Sequence, residues 1–270
     1  MKVIIFNDKD NLDGSLNLLN KQYPKGKRRF WDYKIYLPFL LQKLKELEGF
    51  KNEELELKKT FFYTGKYNSR LINKVIWNCR EKIKSFEEII NKEKYLLEEI
   101  EKSNLNPTFS RKIKNHVNQI IEIFEDKKEK LLAQIEKQKR NFNGQKNFFK
   151  RLYQNPSIEV RTTPLKHADC EVYQKGVDGK IVADLVNLGH TNSYDIAFIL
   201  GGDTDLIEAI KLVKDSLSKI VVVVACHDPK NPLNSNISDV KGECDYFMNL
   251  HDYSKELFEI SESLRKNNES

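Results

Sequence analysis

The chain has 270 residues, with 46 Lys and Arg against 40 Asp and Glu and a formal net charge of +6. Hydrophobic residues make up 39% of the chain, which is enough for a folded core, and the 11 Gly and 7 Pro exclude collagen-like and low-complexity proteins. The charge is distributed unevenly. Residues 66–154 contain 21 basic and 12 acidic residues, whereas residues 155–270 contain 12 basic and 19 acidic residues. A basic part and an acidic part therefore share one chain.

Targeting signals are not expected. The sequence lacks an apolar run of the roughly 20 residues that span a bilayer, and the N-terminus lacks the apolar stretch of a signal peptide. The four cysteines are far apart and show no metal-binding spacing; they are Cys79, Cys170, Cys226 and Cys244. We therefore expect a cytoplasmic protein with reduced thiols and no contact with a membrane.

The first part of the chain predicts two strands and one helix. Residues 2–7 form a short β-branched run that is typical of a buried parallel strand. A polar, Asn-rich stretch follows, and then the basic-aromatic segment 24–31. An amphipathic helix is predicted over residues 32–47, and a second strand over residues 57–63.

Between residues 67 and 152 the apolar spacing changes to alternating threes and fours, which is the heptad pattern of packed helices. The first set comprises Ile72, Ile76, Cys79, Ile83, Phe86, Ile90, Leu97 and Ile100, and the second comprises Ile113, Val117, Ile120, Phe124, Leu131 and Ile135. Pro107 interrupts the pattern, because a residue before proline is pushed out of the helical region. We expect an antiparallel coiled-coil hairpin of two helices of about 30 residues each, roughly 45 Å long.

After residue 155 the pattern of alternating strands and helices returns. Strands are predicted at residues 158–162, 194–200, 219–225 and 245–250, and helices at 174–188, 206–214 and 254–265. Strands that alternate with helices favour an α/β fold with a parallel sheet flanked by helices. The helical hairpin is then an insertion after strand two, with domains at 1–65 plus 155–270 and at 66–154.

Several carboxylates follow the predicted strands, at the sheet edge where α/β proteins place their functional groups. Asp8 follows strand one, and Asp203 and Asp205 follow the strand that ends at Leu200. Asp178 and Asp184 lie on a helix, about 240° apart around its axis, so both need not reach one site. Taken alone, Asp8, Asp178 and the Asp203–Asp205 turn are each also consistent with a turn, a helix cap or a favourable position at a helix N-terminus. Asp184 is harder to explain in this way, because it lies in the middle of a helix between Ala183 and Leu185. Together these aspartates predict a site for Mg²⁺ or Mn²⁺, which would relieve their mutual repulsion.

Four segments resemble the NYN domain family, a branch of the PIN-like nucleases. They are residues 3–12 (VIIFNDKDNL), 175–184 (KGVDGKIVAD), 194–206 (YDIAFILGGDTDL) and 244–250 (CDYFMNL). They look like the family's D-x-x-N after strand one, its K-G-V-D helix, its S-G-D-S-D-F turn and its last strand. The resemblance covers about residues 1–65 and 155–265. It implies a PIN-like fold and a metal-dependent endoribonuclease.

The resemblance also implies roles for individual residues. Asp8, Asp178 and Asp203 would bind the metal, Asp205 would be a further or water-bridged ligand, and Asp184 would support the site or bind the metal. Asn11 would orient Asp8 or contact substrate, and Lys175 would contact a phosphate. The sequence departs from the family at Gly201, where Ser is usual, and at Leu206, where Phe is usual. Neither change removes a carboxylate, although the missing hydroxyl could weaken substrate positioning.

Basic residues outside this site are candidates for holding RNA. The hairpin is one, and the loop residues Lys25, Lys27, Arg28, Arg29, Phe30 and Trp31 are another. Cations neutralise phosphates, and aromatic rings stack on bases. The alternatives are a solvated coiled-coil surface, a solubilising basic turn, or contact with a second copy or a partner protein.

We therefore predict a Mg²⁺- or Mn²⁺-dependent ribonuclease that acts on a structured RNA such as a tRNA. Two other hypotheses stay open. One is a haloacid-dehalogenase-type phosphatase, because Asp8-Lys9-Asp10 has the D-x-D form of that superfamily. The other is a non-catalytic RNA-binding or scaffold protein with a vestigial metal site.

Overall fold

The structure is a computed structural model that describes residues 1–21, 23, 32–103, 105–227 and 235–269. The chain divides into two compact units. The first comprises Met1–Thr64, Arg151–Thr163 and Gly176–Ser270, and the second comprises Gly65–Lys150 and Pro164–Lys175. The basic-aromatic loop residues Lys25, Lys27, Arg28, Arg29, Phe30 and Trp31 lie outside the described residues.

Eight strands occur in the described residues: β1 (Lys2–Asp8), β2 (Glu56–Lys66), β3 (Ile158–Pro164), β4 (Lys166–Ala168), β5 (Glu171–Tyr173), β6 (Ile196–Leu200), β7 (Ile220–Ala225) and β8 (Tyr246–Asn249). Six of them form a parallel sheet in the order β3-β2-β1-β6-β7-β8, and β4 pairs with β5 in a separate antiparallel hairpin. The predicted α/β fold class is confirmed.

Eight α-helices accompany the strands in the described part of the chain: α1 (Lys9–Lys21), α2 (Tyr33–Glu46), α3 (Ser69–Lys102), α4 (Pro107–Leu152), α5 (Val177–His190), α6 (Ile207–Lys211), α7 (Ser235–Glu243) and α8 (Ser254–Glu269). Short 3₁₀ turns occur at Glu48–Phe50 and Thr204–Leu206, and a π-helical turn at Leu212–Ser216 follows α6.

The centre of the sheet is mainly apolar, because most residues of β1, β6 and β7 are hydrophobic and buried. Every residue of β6 is buried, as is the run Val221–Ala225 of β7. On the face that α5 covers, Phe6 stacks on Tyr63 and meets Tyr194 edge-on, with ring centroids 6.5 Å and 5.6 Å apart. This packing places the start of α5 beside the carboxyl end of β1.

The second unit consists of the α3–α4 helical hairpin and the β4–β5 hairpin. Ile90, Val117 and Ile121 form one small core between the two helices. A second core joins Cys79 of α3, Ile135 of α4 and Cys170 of the β-hairpin. Ion pairs also link the helices, at Lys94–Glu125, Lys114–Glu101 and Lys128–Glu87. The predicted apolar seam therefore forms an antiparallel helix pair, as expected.

Several elements differ from the prediction. The helices of the hairpin are unequal, at 34 and 46 residues, because α4 continues as far as Leu152. The Asn-rich stretch after β1 is the helix α1, whose buried Leu12, Leu16 and Leu19 have helical spacing that its polar residues obscured. The β4–β5 hairpin was not predicted, because three-residue strands have no readable periodicity.

A search of the described residues for membrane-spanning helices finds none that is both long enough and sufficiently apolar.

Candidate metal centre

The candidate site lies at the carboxyl ends of two adjacent strands. Asp8 is the last residue of β1, and β6 ends at Leu200, whose register partner on β1 is Asn7. The segment Gly201-Gly202-Asp203 continues from β6. Asp178 comes from a different element, because it is in the first turn of α5.

These three elements bring three carboxylates together. Asp8, Asp178 and Asp203 each offer a ligand atom, and the three atoms lie within 4.8 Å of one another. Asp8 is only 3% exposed, whereas Asp178 and Asp203 are partly open to solvent. Within the described part of the chain, none of the three carboxylates forms an ion pair with Lys or Arg.

The cluster carries uncompensated negative charge, which changes how its members titrate. Burial, assisted by the charges of Asp10, Asp178 and Asp203, raises the pKa of Asp8 from 3.8 to about 7. Burial and the charges of Asp203 and Asp205 also raise the pKa of Asp178. A cation among the three carboxylates would reverse both effects, because it would favour their charged forms.

Asn11 connects the two strand ends. Its backbone N–H donates to Asp8 Oδ1 at 3.2 Å, and its side-chain Oδ1 accepts from the N–H of Gly202 at 3.0 Å. The first bond lowers the pKa of Asp8 and partly offsets the effect of burial. Asn11 therefore positions Asp8 and the Gly202 backbone relative to each other.

Gly201 stands where the resembled family usually has serine, and the backbone conformation explains this difference. Its φ is +140°, a conformation that L-residues with a side chain rarely adopt. An added Cβ would lie 3.2 Å from the Cβ of Asp8 and 3.3 Å from that of Asn11. A serine here would therefore strain the backbone and would require Asp8 or Asn11 to shift by a few tenths of an ångström.

Asp203 and Asp205 have different environments. Asp203 caps the 3₁₀ turn, because its Oδ1 accepts from the N–H of Asp205 at 3.0 Å. Its carboxylate has a second oxygen, so capping and metal binding are compatible. Asp205 is exposed and does not belong to the three-carboxylate group found among the described residues, although its charge acts on Asp178.

Asp184 is held away from this group. Its Oδ2 accepts from the hydroxyl of Tyr63 at 3.0 Å and lies 3.7 Å from Nε of Arg161. These contacts connect α5 to β2 and β3. Sequence analysis did not predict the role of Tyr63. The signal that could have indicated this role is the register of β1 and β2, in which Tyr63 lies opposite Asp8. Paired residues of neighbouring strands point to the same face of the sheet, and here that face is the one covered by α5.

Lys175 is exposed and precedes Gly176, which starts α5 with a φ of 82°. The hydrogen bonds and ion pairs of the described residues give Lys175 no partner. Its predicted contact with a phosphate stays a prediction.

The donor set suits a hard divalent cation. Three carboxylates within reach of one another, one of them buried, match the oxygen ligands that Mg²⁺ and Mn²⁺ prefer. Asp8, Asp178 and Asp203 would hold such an ion, and water would complete its coordination.

The raised pKa of Asp8 predicts how the stability of the metal-free protein depends on pH. Between pH 4 and 7 the native state keeps a proton that the unfolded state has released. The free energy of unfolding should therefore fall as the pH rises, by about 4 kcal/mol for a shift of about three pKa units. Urea unfolding in EDTA between pH 4.5 and 8 measures this. The Asp8→Asn variant should show a flatter profile, and an equal slope in both proteins would contradict the assignment.

Comparison with known proteins points to one family. A family model described as NYN domain matches residues 100–251, more than half of the chain. The match includes Asp178, Asp203 and Asp205 and begins after β1, so it does not contain Asp8. The crystal structure of a protein of unknown function from Vibrio parahaemolyticus is similar over 92% of each chain, with 12% sequence identity and a TM-score of 0.45. A search of curated proteins gave no match.

Proposed function

The chain belongs to the NYN domain family, whose fold is that of the PIN-like nucleases, and from this premise we propose that it is a metal-dependent endoribonuclease. The observation that carries this proposal is the group formed by Asp8, Asp178 and Asp203, whose ligand atoms lie within 4.8 Å of one another. Three separate elements contribute them, and no described cation neutralises them.

The bound ion would lower the pKa of a water ligand and stabilise negative charge on the phosphate and the leaving oxygen. The chain's own residues prepare this chemistry. Asp8 would release its proton on binding the ion, and Asp203 is held by its capping bond to the turn. Asn11 keeps the two strand ends in position, and exposed Asp205 adds negative charge near Asp178.

We assign catalysis to the predicted nuclease domain, whose C-terminal part is acidic, and RNA binding to the basic part of the chain. The predicted nuclease domain is 1–65 with 155–270, and the predicted insertion is 66–154. An acidic site repels a polyanion, so RNA needs cations elsewhere to bind. Structured RNA such as tRNA is the proposed substrate, and Mg²⁺ or Mn²⁺ the proposed ion. The four cysteines are free thiols, which supports a cytoplasmic location.

The phosphatase hypothesis fits the site less well. It depends on Asp8-Lys9-Asp10, but Asp10 is in the first turn of α1 with its side chain 52% exposed, 3.9 Å from Lys9. Asp10 is outside the three-carboxylate group found among the described residues. That hypothesis also leaves the position of Asp178 unexplained.

The proposed function predicts metal-dependent cuts in RNA. Purified protein incubated with total RNA and Mn²⁺ should produce discrete new ends, detected by sequencing, and EDTA should abolish them. Cuts that persist in EDTA would contradict a metal mechanism. Hydrolysis of a small phosphomonoester with intact RNA would favour the phosphatase, and RNA binding without new ends would favour the scaffold.

A further inference from the structure

The outward face of α3 carries an exposed tryptophan. Trp77 is 61% exposed, although tryptophan is among the most hydrophobic side chains. It points away from the apolar seam: Cys79 in that seam lies about 200° further around the helix. Trp77 therefore contributes little to the core of the second unit.

Four cations surround this indole, and we call the five residues together the Trp77 face. They are Arg70, Lys74, Trp77, Arg80 and Lys84. At 100° per residue, all four cations lie within about 60° of Trp77 around the helix axis. The face extends over about 21 Å of helix. All five residues are exposed.

The charge of this face is not neutralised by its neighbours. Across the described residues, none of the four cations forms an ion pair with a carboxylate. Elsewhere in the hairpin many lysines are paired, as in Lys94–Glu125, Lys114–Glu101 and Lys130–Asp126. Glu81 is the acidic residue within the same sector of α3. The face is thus a local excess of positive charge with an aromatic ring at its centre.

We infer that the Trp77 face binds single-stranded segments of the RNA substrate, an assignment that rests on the proposed ribonuclease function. The indole stacks on a base, and the cations beside it contact flanking phosphates. Arg and Lys around an exposed ring are the two components with which proteins bind single-stranded nucleic acid.

Charge favours RNA over a protein partner. A second copy of the chain would bring two sets of the same four cations together, which is repulsive. A polyanion with exposed bases complements both the charge and the ring.

Binding is measured in EDTA, where the proposed cleavage does not proceed, with a fluorescent single-stranded RNA followed by anisotropy. Trp77→Ala should weaken binding by about fivefold or more, the low end of the contribution of one stacked base, and Trp77→Phe should restore most of it. Tyr95→Ala is the matched control, because Tyr95 is 62% exposed on the same helix and should have a much smaller effect.

The charge contribution has its own matched pair. Replacing Arg70, Lys74, Arg80 and Lys84 together by Ala should weaken binding strongly and reduce its salt dependence, by up to about 0.7 in the logarithmic slope for each phosphate that the variant no longer neutralises. A control variant removes the same charge from exposed residues of α4. Its substitutions are Arg111, Lys112, Lys137 and Arg140 to Ala. Equal decreases in affinity in both variants would overturn the assignment.

The assignment of RNA binding to the Trp77 face is also overturned if Trp77→Ala binds RNA as tightly as the wild type, or if the wild type does not bind RNA. If Trp77→Ala instead abolishes association with a protein partner, the face is a protein interface. The proposed ribonuclease function and the proposed role of the Trp77 face are refuted by different results. In Mn²⁺, a wild type that binds RNA through Trp77 without cutting it refutes the nuclease and leaves the Trp77 face intact. A wild type that cuts RNA, with a KM unaffected by Trp77→Ala, refutes the face alone.

Discussion

Replacing Asp203 by Asn is expected to abolish metal-dependent cleavage of RNA while leaving the protein folded. Asn retains a side-chain oxygen that can cap the turn through the N–H of Asp205, so local structure should survive. Removing the charge weakens metal binding and the stabilisation of the phosphate. Loss of several kcal/mol of this stabilisation corresponds to a rate decrease on the order of 1,000-fold or more. The rate of cleavage in Mn²⁺ measures the effect.

The same substitution should raise the stability of the metal-free protein. Asp203 contributes to the raised pKa values of Asp8 and Asp178, so its removal relieves repulsion within the group. We therefore expect a higher Tm in EDTA and a smaller increase in Tm when Mn²⁺ is added. The smaller response to Mn²⁺ distinguishes a metal site from a purely structural cap, because Asn preserves the cap and a structural role alone would leave the response of Tm to Mn²⁺ unchanged.

Asp215→Asn is the matched control for charge, because Asp215 is exposed and lies outside the three-carboxylate group of the described residues. It should leave cleavage and the response to Mn²⁺ unchanged. Full activity in Asp203→Asn would refute the assignment of the site.

Gly201→Ala is expected to damage the site from the backbone. The φ of +140° is strained for alanine, at about 1–3 kcal/mol. The added methyl group also meets the Cβ atoms of Asp8 and Asn11, both of which are fixed to backbone rather than at the end of a flexible chain. Relief requires movement of β1 or α1, which displaces Asp8 from Asp178 and Asp203. We expect lower stability in urea and a large loss of cleavage.

Gly14→Ala is the matched control. Gly14 lies in the middle of α1, and a Cβ there meets nothing within 4 Å. Alanine in a helix interior stabilises by about 0.5–1 kcal/mol relative to glycine. The control should therefore be at least as stable as the wild type. If Gly201→Ala retained wild-type stability and activity, the close contact of Gly201 with Asp8 would not matter to the site.

Much of the candidate site could be predicted from sequence because each carboxylate follows a clear local signal. Asp8 and Asp203 come directly after apolar β-branched runs, and the carboxyl ends of parallel strands meet at one edge. The role of Asp178 is implied by the resemblance of its segment, Lys175-Gly-Val-Asp178, to the K-G-V-D helix of the family. The sequence shows that Gly201 replaces the serine that is usual in the family, but it does not show why. The reason is steric, because a side chain at this position would contact Asp8 of β1 and Asn11 of α1.

The sequence did not decide which of Asp178 and Asp184 reaches the metal site. Both are aspartates of one helix, and helical geometry indicated only that they point in different directions. Strand register decided the outcome: Tyr63 lies opposite Asp8 and donates its hydroxyl to Asp184. The pKa of Asp8 likewise depends on burial at the sheet edge, which no local pattern reports.

The sequence by itself determined the α/β class, the inserted helical pair and the separation of acidic and basic parts, since these follow from periodicity and charge along the chain. The family was indicated separately, by the resemblance of four segments to its motifs. The sequence did not determine helix α1, the β4–β5 hairpin, or which carboxylates meet. Those depend on contacts between residues far apart in sequence, as when Cys170 packs on Cys79 or when Asn11 accepts a bond from Gly202. Periodicity reports which face of an element is buried, but only the packed tertiary structure decides what that face meets.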